Sequence, residues 1–180
     1  LETSMYTFFV TAGLLRLASA DRAGQFFRGG LWLILATMTR PDGAIFYALG
    51  SLVVLIVATG RRDWTTSRRN WPLLLGYALP FLVLYVPYFI WKFSYYGHAF
   101  PNTYYAKSGG DSYFEQGFYY LGLYLSCYYY LIPALLIPLL LALRGTGKGF
   151  AVPGLVSVRG YWLVVLFTLP FLLYVAKVGG

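Results

Sequence analysis

The chain is written as five long apolar runs separated by short basic clusters, and that alternation restricts its fold before any motif is considered. The runs cover roughly residues 4–20, 30–60, 71–96, 117–143 and 160–178. A helix needs about 20 apolar residues to cross a bilayer, and in lipid the backbone must satisfy its own hydrogen bonds. Runs of this length read as membrane helices. Composition agrees: 59% of residues are hydrophobic and only 11% are charged, against about 25% charged in soluble domains. The expected class is therefore all-α, a polytopic membrane helical bundle, with residues 1–180 belonging to one transmembrane domain. Membrane lipids are its first implied partner.

A net charge of +8 could be taken for a nucleic-acid footprint. The basic residues instead form clusters between apolar runs, not a stripe along one soluble face, so no nucleic-acid partner is expected. The groups are Arg16, Arg22 and Arg28, then Arg61, Arg62, Arg68 and Arg69, then Arg144, Lys148 and Arg159. By the positive-inside rule these face the cytoplasm.

That assignment makes a demand on residues 30–60, because the basic groups on both sides of the run must lie inside. The chain has to go out and return between them. Thr39-Arg40-Pro41-Asp42-Gly43 offers the break, with Pro at the second and Gly at the fourth position of a type I turn. The run becomes a short hairpin of arms of about 14 and 17 residues, or ~21 and ~25 Å of rise. About six transmembrane helices result. Arg16–Arg28, 61–70 and 144–159 then lie inside, while Glu2, Arg40, Asp42, residues 95–116 and Lys177 lie outside. One long helix kinked at Pro41 is the alternative; it breaks the charge rule once and leaves Arg40 and Asp42 near mid-membrane, at roughly 2.5–3.5 kcal/mol each. Pro72, Pro80 and Pro87 in the third run, and Pro133 and Pro138 in the fourth, are expected to kink their helices. Cys127, the single cysteine, is expected to be a buried small hydrophobe.

The densest chemistry follows the third run. Residues 95–107 read Y-Y-G-H-A-F-P-N-T-Y-Y-A-K and put hydroxyl, imidazole, amide and ammonium groups where a helix leaves the membrane. Under the hairpin topology Glu2, Arg40, Asp42 and Lys177 share that side. Carboxylates serve as general bases, and Arg and Lys neutralise phosphate, so the combination suits glycosyl transfer from a lipid phosphate. Each residue also has a plainer reading: Arg40 and Asp42 closing a turn and capping a helix, Glu2 at a helix entry, Lys107 and Lys177 snorkelling, the tyrosine pairs forming an interfacial belt. His98 has no second His or Cys with which to hold a metal, so no metal site is expected.

The order L-E-T-S-M-Y, T-R-P-D-G, Y-Y-G-H-A-F-P-N-T-Y-Y-A-K and a closing V-G-G resembles the bacterial GT-C superfamily of polytopic membrane glycosyltransferases. The subgroup it resembles includes the mycobacterial cell-wall arabinofuranosyltransferases, with P-N-T-x-Y-A-K the specific match. The resemblance implies a hexosyl- or pentosyltransferase that moves a sugar from a polyprenyl-phosphate donor to a saccharide or lipid-linked acceptor of the cell envelope. It would work on the outer, periplasmic face of the cytoplasmic membrane, by an inverting single displacement. Arg40, Asn102, Tyr105 and Lys107 would bind substrate. Arg40 and Lys107 would meet the phosphate, Glu2 and Asp42 would orient sugar or acceptor, and Asn102 and Tyr105 would shape the pocket. No cofactor is implied, and a divalent metal stays open.

In that family the usual catalytic carboxylate lies in the first external loop. The chain reads as a piece of a longer membrane protein, so the general base is expected upstream of Leu1, with Glu2 and Asp42 as candidates in hand and the piece alone inactive. Two readings from other classes remain: a lipid or saccharide flippase, which would bury ionisable groups at mid-membrane, and a non-catalytic membrane subunit, whose polar motifs would be scattered.

Overall fold

A computed structural model describes residues 2–60, 71–99, 112–130, 133, 136 and 158–178. The described residues form six helices: α1, Glu2–Ala18; α2, Ala23–Thr39; α3, Gly43–Gly60; α4, Trp71–Tyr96; α5, Phe114–Cys127; and α6, Val158–Val178. No strand occurs among them. The chain divides into two compact units, Leu1–Pro101 and Asn102–Gly180. Among the described residues one helix, α4, is long and apolar enough to cross a membrane; α3 and the Leu166–Val178 part of α6 are shorter apolar helices.

In the first unit, glycines set how closely the helices approach. Gly13 of α1 receives Leu33 of α2, and Gly29 of α2 receives Leu17 of α1; a Cβ on either glycine would lie 2.6–2.8 Å from the facing leucine. Leu17 and Leu33 are fully buried as a result. On the other side of α2, a Cβ at Gly30 would sit 2.6 Å from the Tyr77 carbonyl of α4, and one at Gly76 would sit 2.6 Å from the Ala23 carbonyl. Small residues at helix contacts are how membrane helices gain van der Waals packing without a hydrophobic drive.

The hairpin expected at residues 39–43 is present. Helix α2 stops at Thr39, the Gly43 N–H donates to the Arg40 carbonyl at 2.9 Å, and α3 starts at Gly43 and packs back on α2. A single kinked helix is thereby excluded. The arms are longer than expected, 17 and 18 residues, or about 25 and 27 Å. The gain on the first arm comes from its start. Gln25 Oε1 accepts the Asp21 and Arg22 N–H groups at 2.6 and 3.1 Å, which fixes the helix entry at Ala23, and Phe26 in the next turn is fully buried. Arg28, expected in a loop, therefore stands exposed on α2.

Helix α4 matches the third apolar run end to end. Its middle, Phe81–Tyr85, is wound as a π-helix, closed by the Val86 N–H on the Phe81 carbonyl. Pro80 and Pro87 flank it, and neither has an N–H to give to the regular α pattern. A widened turn is the local answer to two missing donors. At its base, Tyr77 lies parallel to Tyr47 of α3, ring centroids 4.8 Å apart. Tyr47 Oη donates to the Tyr77 carbonyl at 3.1 Å, and Tyr77 Oη to the Tyr47 carbonyl at 2.8 Å.

The second unit pairs α5 with α6. Gly117 lies against the backbone of Ala176, and the Tyr113 N–H donates to the Lys177 carbonyl at 2.8 Å. Helix α5 ends at Cys127, well inside the run expected to continue to 143, with a break at Tyr128–Tyr130. A helix carried through Pro133 would leave the Tyr129 carbonyl without its donor. The early end also corrects the expectation for Cys127, which is exposed.

Candidate functional site

The turn between α2 and α3 is built for close contact. Pro41 fixes φ for the turn, and Gly43 is required because a Cβ there would come within 2.7–2.8 Å of the backbone of Ala36 and Thr37. With the chain folded this tightly, the side chains two residues apart meet. Arg40 Nε donates to Asp42 Oδ1 at 3.1 Å, and Arg40 Nη2 reaches Asp42 Oδ2 at 3.0 Å. This is a two-pronged guanidinium–carboxylate pair, the geometry that suits Arg best. It is lopsided in exposure: the Asp42 side chain is 7% exposed and that of Arg40 40%. Asp42 thus spends its carboxylate on Arg40, and the plain expectation that it serves to cap α3 does not describe where its oxygens go.

A third residue completes the arrangement. The Arg40 guanidinium lies over the ring of Tyr6, 5.1 Å from its centroid, a cation–π distance. Tyr6 is buried on α1 and meets Phe46 of α3 edge to face at 6.4 Å. Glu2 is exposed one helical turn before Tyr6, on the same face of α1. Glu2, Arg40 and Asp42 therefore belong to one end of the first unit. Sequence reasoning missed Tyr6 and Phe46. The one signal for Tyr6 was its i+4 spacing from Glu2.

Helix α4 packs on α2 through the Gly76–Ala23 and Gly30–Tyr77 contacts, and against α3 Tyr77 reaches Gly50 while Phe81, one turn later, lies on Tyr47, nearer the hairpin turn. Its Tyr96 end consequently points toward the Arg40 end. Along it runs a series of parallel aromatic rings: Tyr77–Tyr47–Phe81 at the base, then Phe81–Tyr85 at 5.3 Å, Tyr85–Phe89 at 6.0 Å and Phe89–Phe93 at 6.3 Å. In sequence this is an aromatic residue at every fourth position from 77 to 93, a pattern that composition dissolves into general aromatic richness. Gly97 ends the helix in the left-handed region, φ 71°, with its N–H on the Phe93 carbonyl at 2.8 Å. Lys92 Nζ then donates to the Ala99 carbonyl at 3.4 Å, drawing the exit back over the last turn. His98 is exposed. Asn102, Tyr105 and Lys107 lie outside the described residues.

In the second unit, Ser112, Tyr113, Phe114, Glu115 and Gln116 line an open depression of about 390 Å³ at the start of α5. Lys177 is exposed in the last turn of α6. Among the described residues no three His, Cys, Asp or Glu side chains gather into a metal-binding group.

The first unit thus carries a membrane-length helix and, at one end, an Arg–Asp turn, and the chain is similar in sequence to a glycosyltransferase. That relative is the terminal β-(1→2)-arabinofuranosyltransferase of Corynebacterium glutamicum, 30% identical over 156 residues, covering 83% of this chain and 21% of the relative. The chain thus spans about a fifth of the relative's length. No family model matches the chain. No solved structure matches it either.

Proposed function

We propose that the chain is part of a polytopic membrane glycosyltransferase of GT-C type, which moves a sugar from a polyprenyl-phosphate-linked donor to a cell-envelope acceptor on the outer face of the bacterial cytoplasmic membrane. The observation that carries this reading is the Arg40–Asp42 pair, held at the same end of the first unit as Glu2 and the exit of α4, in a chain similar to an arabinofuranosyltransferase. Arg40 is the cation of the described residues best placed for a phosphate, because its partner is buried while it keeps an open side.

The chemistry is a single displacement with inversion. An acceptor hydroxyl oxygen attacks the anomeric carbon as the bond from that carbon to the donor phosphate oxygen breaks; the bonding pair leaves on the phosphate, and the hydroxyl proton passes to a carboxylate base. Negative charge grows on the leaving phosphate, so fixed cations there lower the barrier. Arg40 and Lys107 take that role. Asn102 and Tyr105 shape the sugar pocket. Of the two carboxylates in hand, Glu2 is exposed and Asp42 is engaged by Arg40, which leaves Glu2 to orient the acceptor.

In the full-length enzyme, Arg40→Ala and Lys107→Ala should each lower transfer from a polyprenyl-phosphate-linked arabinose by roughly a hundredfold, measured as radiolabelled sugar incorporated into an arabinan acceptor. Full activity in both variants would sink the phosphate assignment.

A further inference from the structure

We infer that Tyr6 and Asp42 are positioning residues for Arg40, a cradle that holds the guanidinium plane still and presents its free edge to the leaving phosphate of the donor. The inference deepens the proposal that Arg40 meets that phosphate and rests on it. The geometry is specific. Asp42 accepts the Nε–H on Oδ1 at 3.1 Å and holds Nη2 within 3.0 Å of Oδ2, and two points of contact restrict the rotation of the guanidinium. The guanidinium carbon stands over the Tyr6 ring, 5.1 Å from its centroid, so the aromatic face holds the charge from a second side. Of the five N–H groups of an arginine, the pair with Asp42 occupies two, and those that remain lie on the edge away from the carboxylate. Phe46, edge-on to Tyr6, fixes the aromatic ring in turn, and both aromatic residues are buried.

Such a device has a reason in transfer chemistry. An arginine side chain at a turn samples many rotamers, and an electrostatic catalyst gains most when its donors are already oriented toward the developing charge. A purely structural arginine, pinning the hairpin shut, would have the same contacts but no need for an open edge. The two roles separate in the kinetics.

The test measures donor KM, acceptor KM and kcat in the full-length enzyme, with polyprenyl-phosphate-linked arabinose as donor. Tyr6→Leu removes the ring face and should raise donor KM roughly fivefold, with acceptor KM within about twofold. Tyr6→Phe keeps the face and should behave as wild type. Asp42→Asn, which cannot grip both prongs, should also raise donor KM, and it carries the test if Tyr6→Leu fails to fold. Arg40→Ala is the control. If it loses transfer while Tyr6→Leu and Asp42→Asn leave donor KM unchanged, the cradle is overturned and the phosphate reading stands; if Arg40→Ala transfers normally, both fall. Equal defects in Tyr6→Phe and Tyr6→Leu would overturn the ring-face argument.

Discussion

The two halves of the first unit are built from different materials. Helices α1, α2 and α3, with the start of α4, meet through Gly13, Gly29, Gly30, Gly43, Gly50 and Gly76, each with a neighbouring atom where its Cβ would be. From the π-turn onward, α4 has no buried residue and exposes Leu82, Val83, Leu84, Ile90, Trp91 and Phe93. There the order comes from rings stacked along one helix. The difference teaches where position is fixed. The glycine-packed part can hold Arg40 and Asp42 to a set geometry because moving one helix displaces the others. The outer half of α4 is free to meet lipid or other protein surface.

The sharpest way to break that contrast is Gly43→Ala. A methyl group there would strike the backbone of Ala36 and Thr37, which has no side chain to swing aside, so the hairpin must open. We expect a loss of about 3 kcal/mol or more, seen as low yield of folded protein and a collapsed melting temperature in detergent. Next in size is a matched pair on the two halves. Leu33→Ala empties the notch at Gly13 and should cost about 2–5 kcal/mol. Ile90→Ala, on the outer half, should stay within about 0.5 kcal/mol. Equal losses in the two variants would show that the outer half of α4 is packed as tightly as the core.

The same contrast explains what the sequence could disclose. Run length and punctuation are local properties, so the 71–96 helix and the turn at Arg40–Gly43 were legible: apolar length names the one, and Pro-Asp-Gly the other. The early start of α2 was not, because it depends on Gln25 reaching back to Asp21 and Arg22 and on burial of Phe26. Which glycines face which leucines is a property of helix pairs, not of either helix. At the site, Arg40 and Asp42 were legible as charges outside a span. Their mutual grip, and Tyr6 beneath it, required α2 to come back to the end where α1 starts. The break of α5 after Cys127 was hidden in an apolar run whose tyrosines looked like continuing helix.

The smallest expected effect tests the seam between the two halves. Tyr77 is nearly buried and belongs to both, packed against Gly30 and Gly50 on one side and opening the aromatic series on the other. Tyr77→Phe keeps the ring and its parallel stack on Tyr47 and removes one hydroxyl. The Tyr47 carbonyl would still hold Ser51 Oγ at 3.0 Å, so no buried acceptor is stranded, and Tyr47 Oη would still bond the Tyr77 carbonyl. The cost should therefore be that of a single hydrogen bond, about 1 kcal/mol, read as a modest fall in melting temperature with transfer activity retained. A loss as large as that of Leu33→Ala would mean that the paired tyrosines, rather than the glycine contacts, are what hold α4 to the rest of the unit.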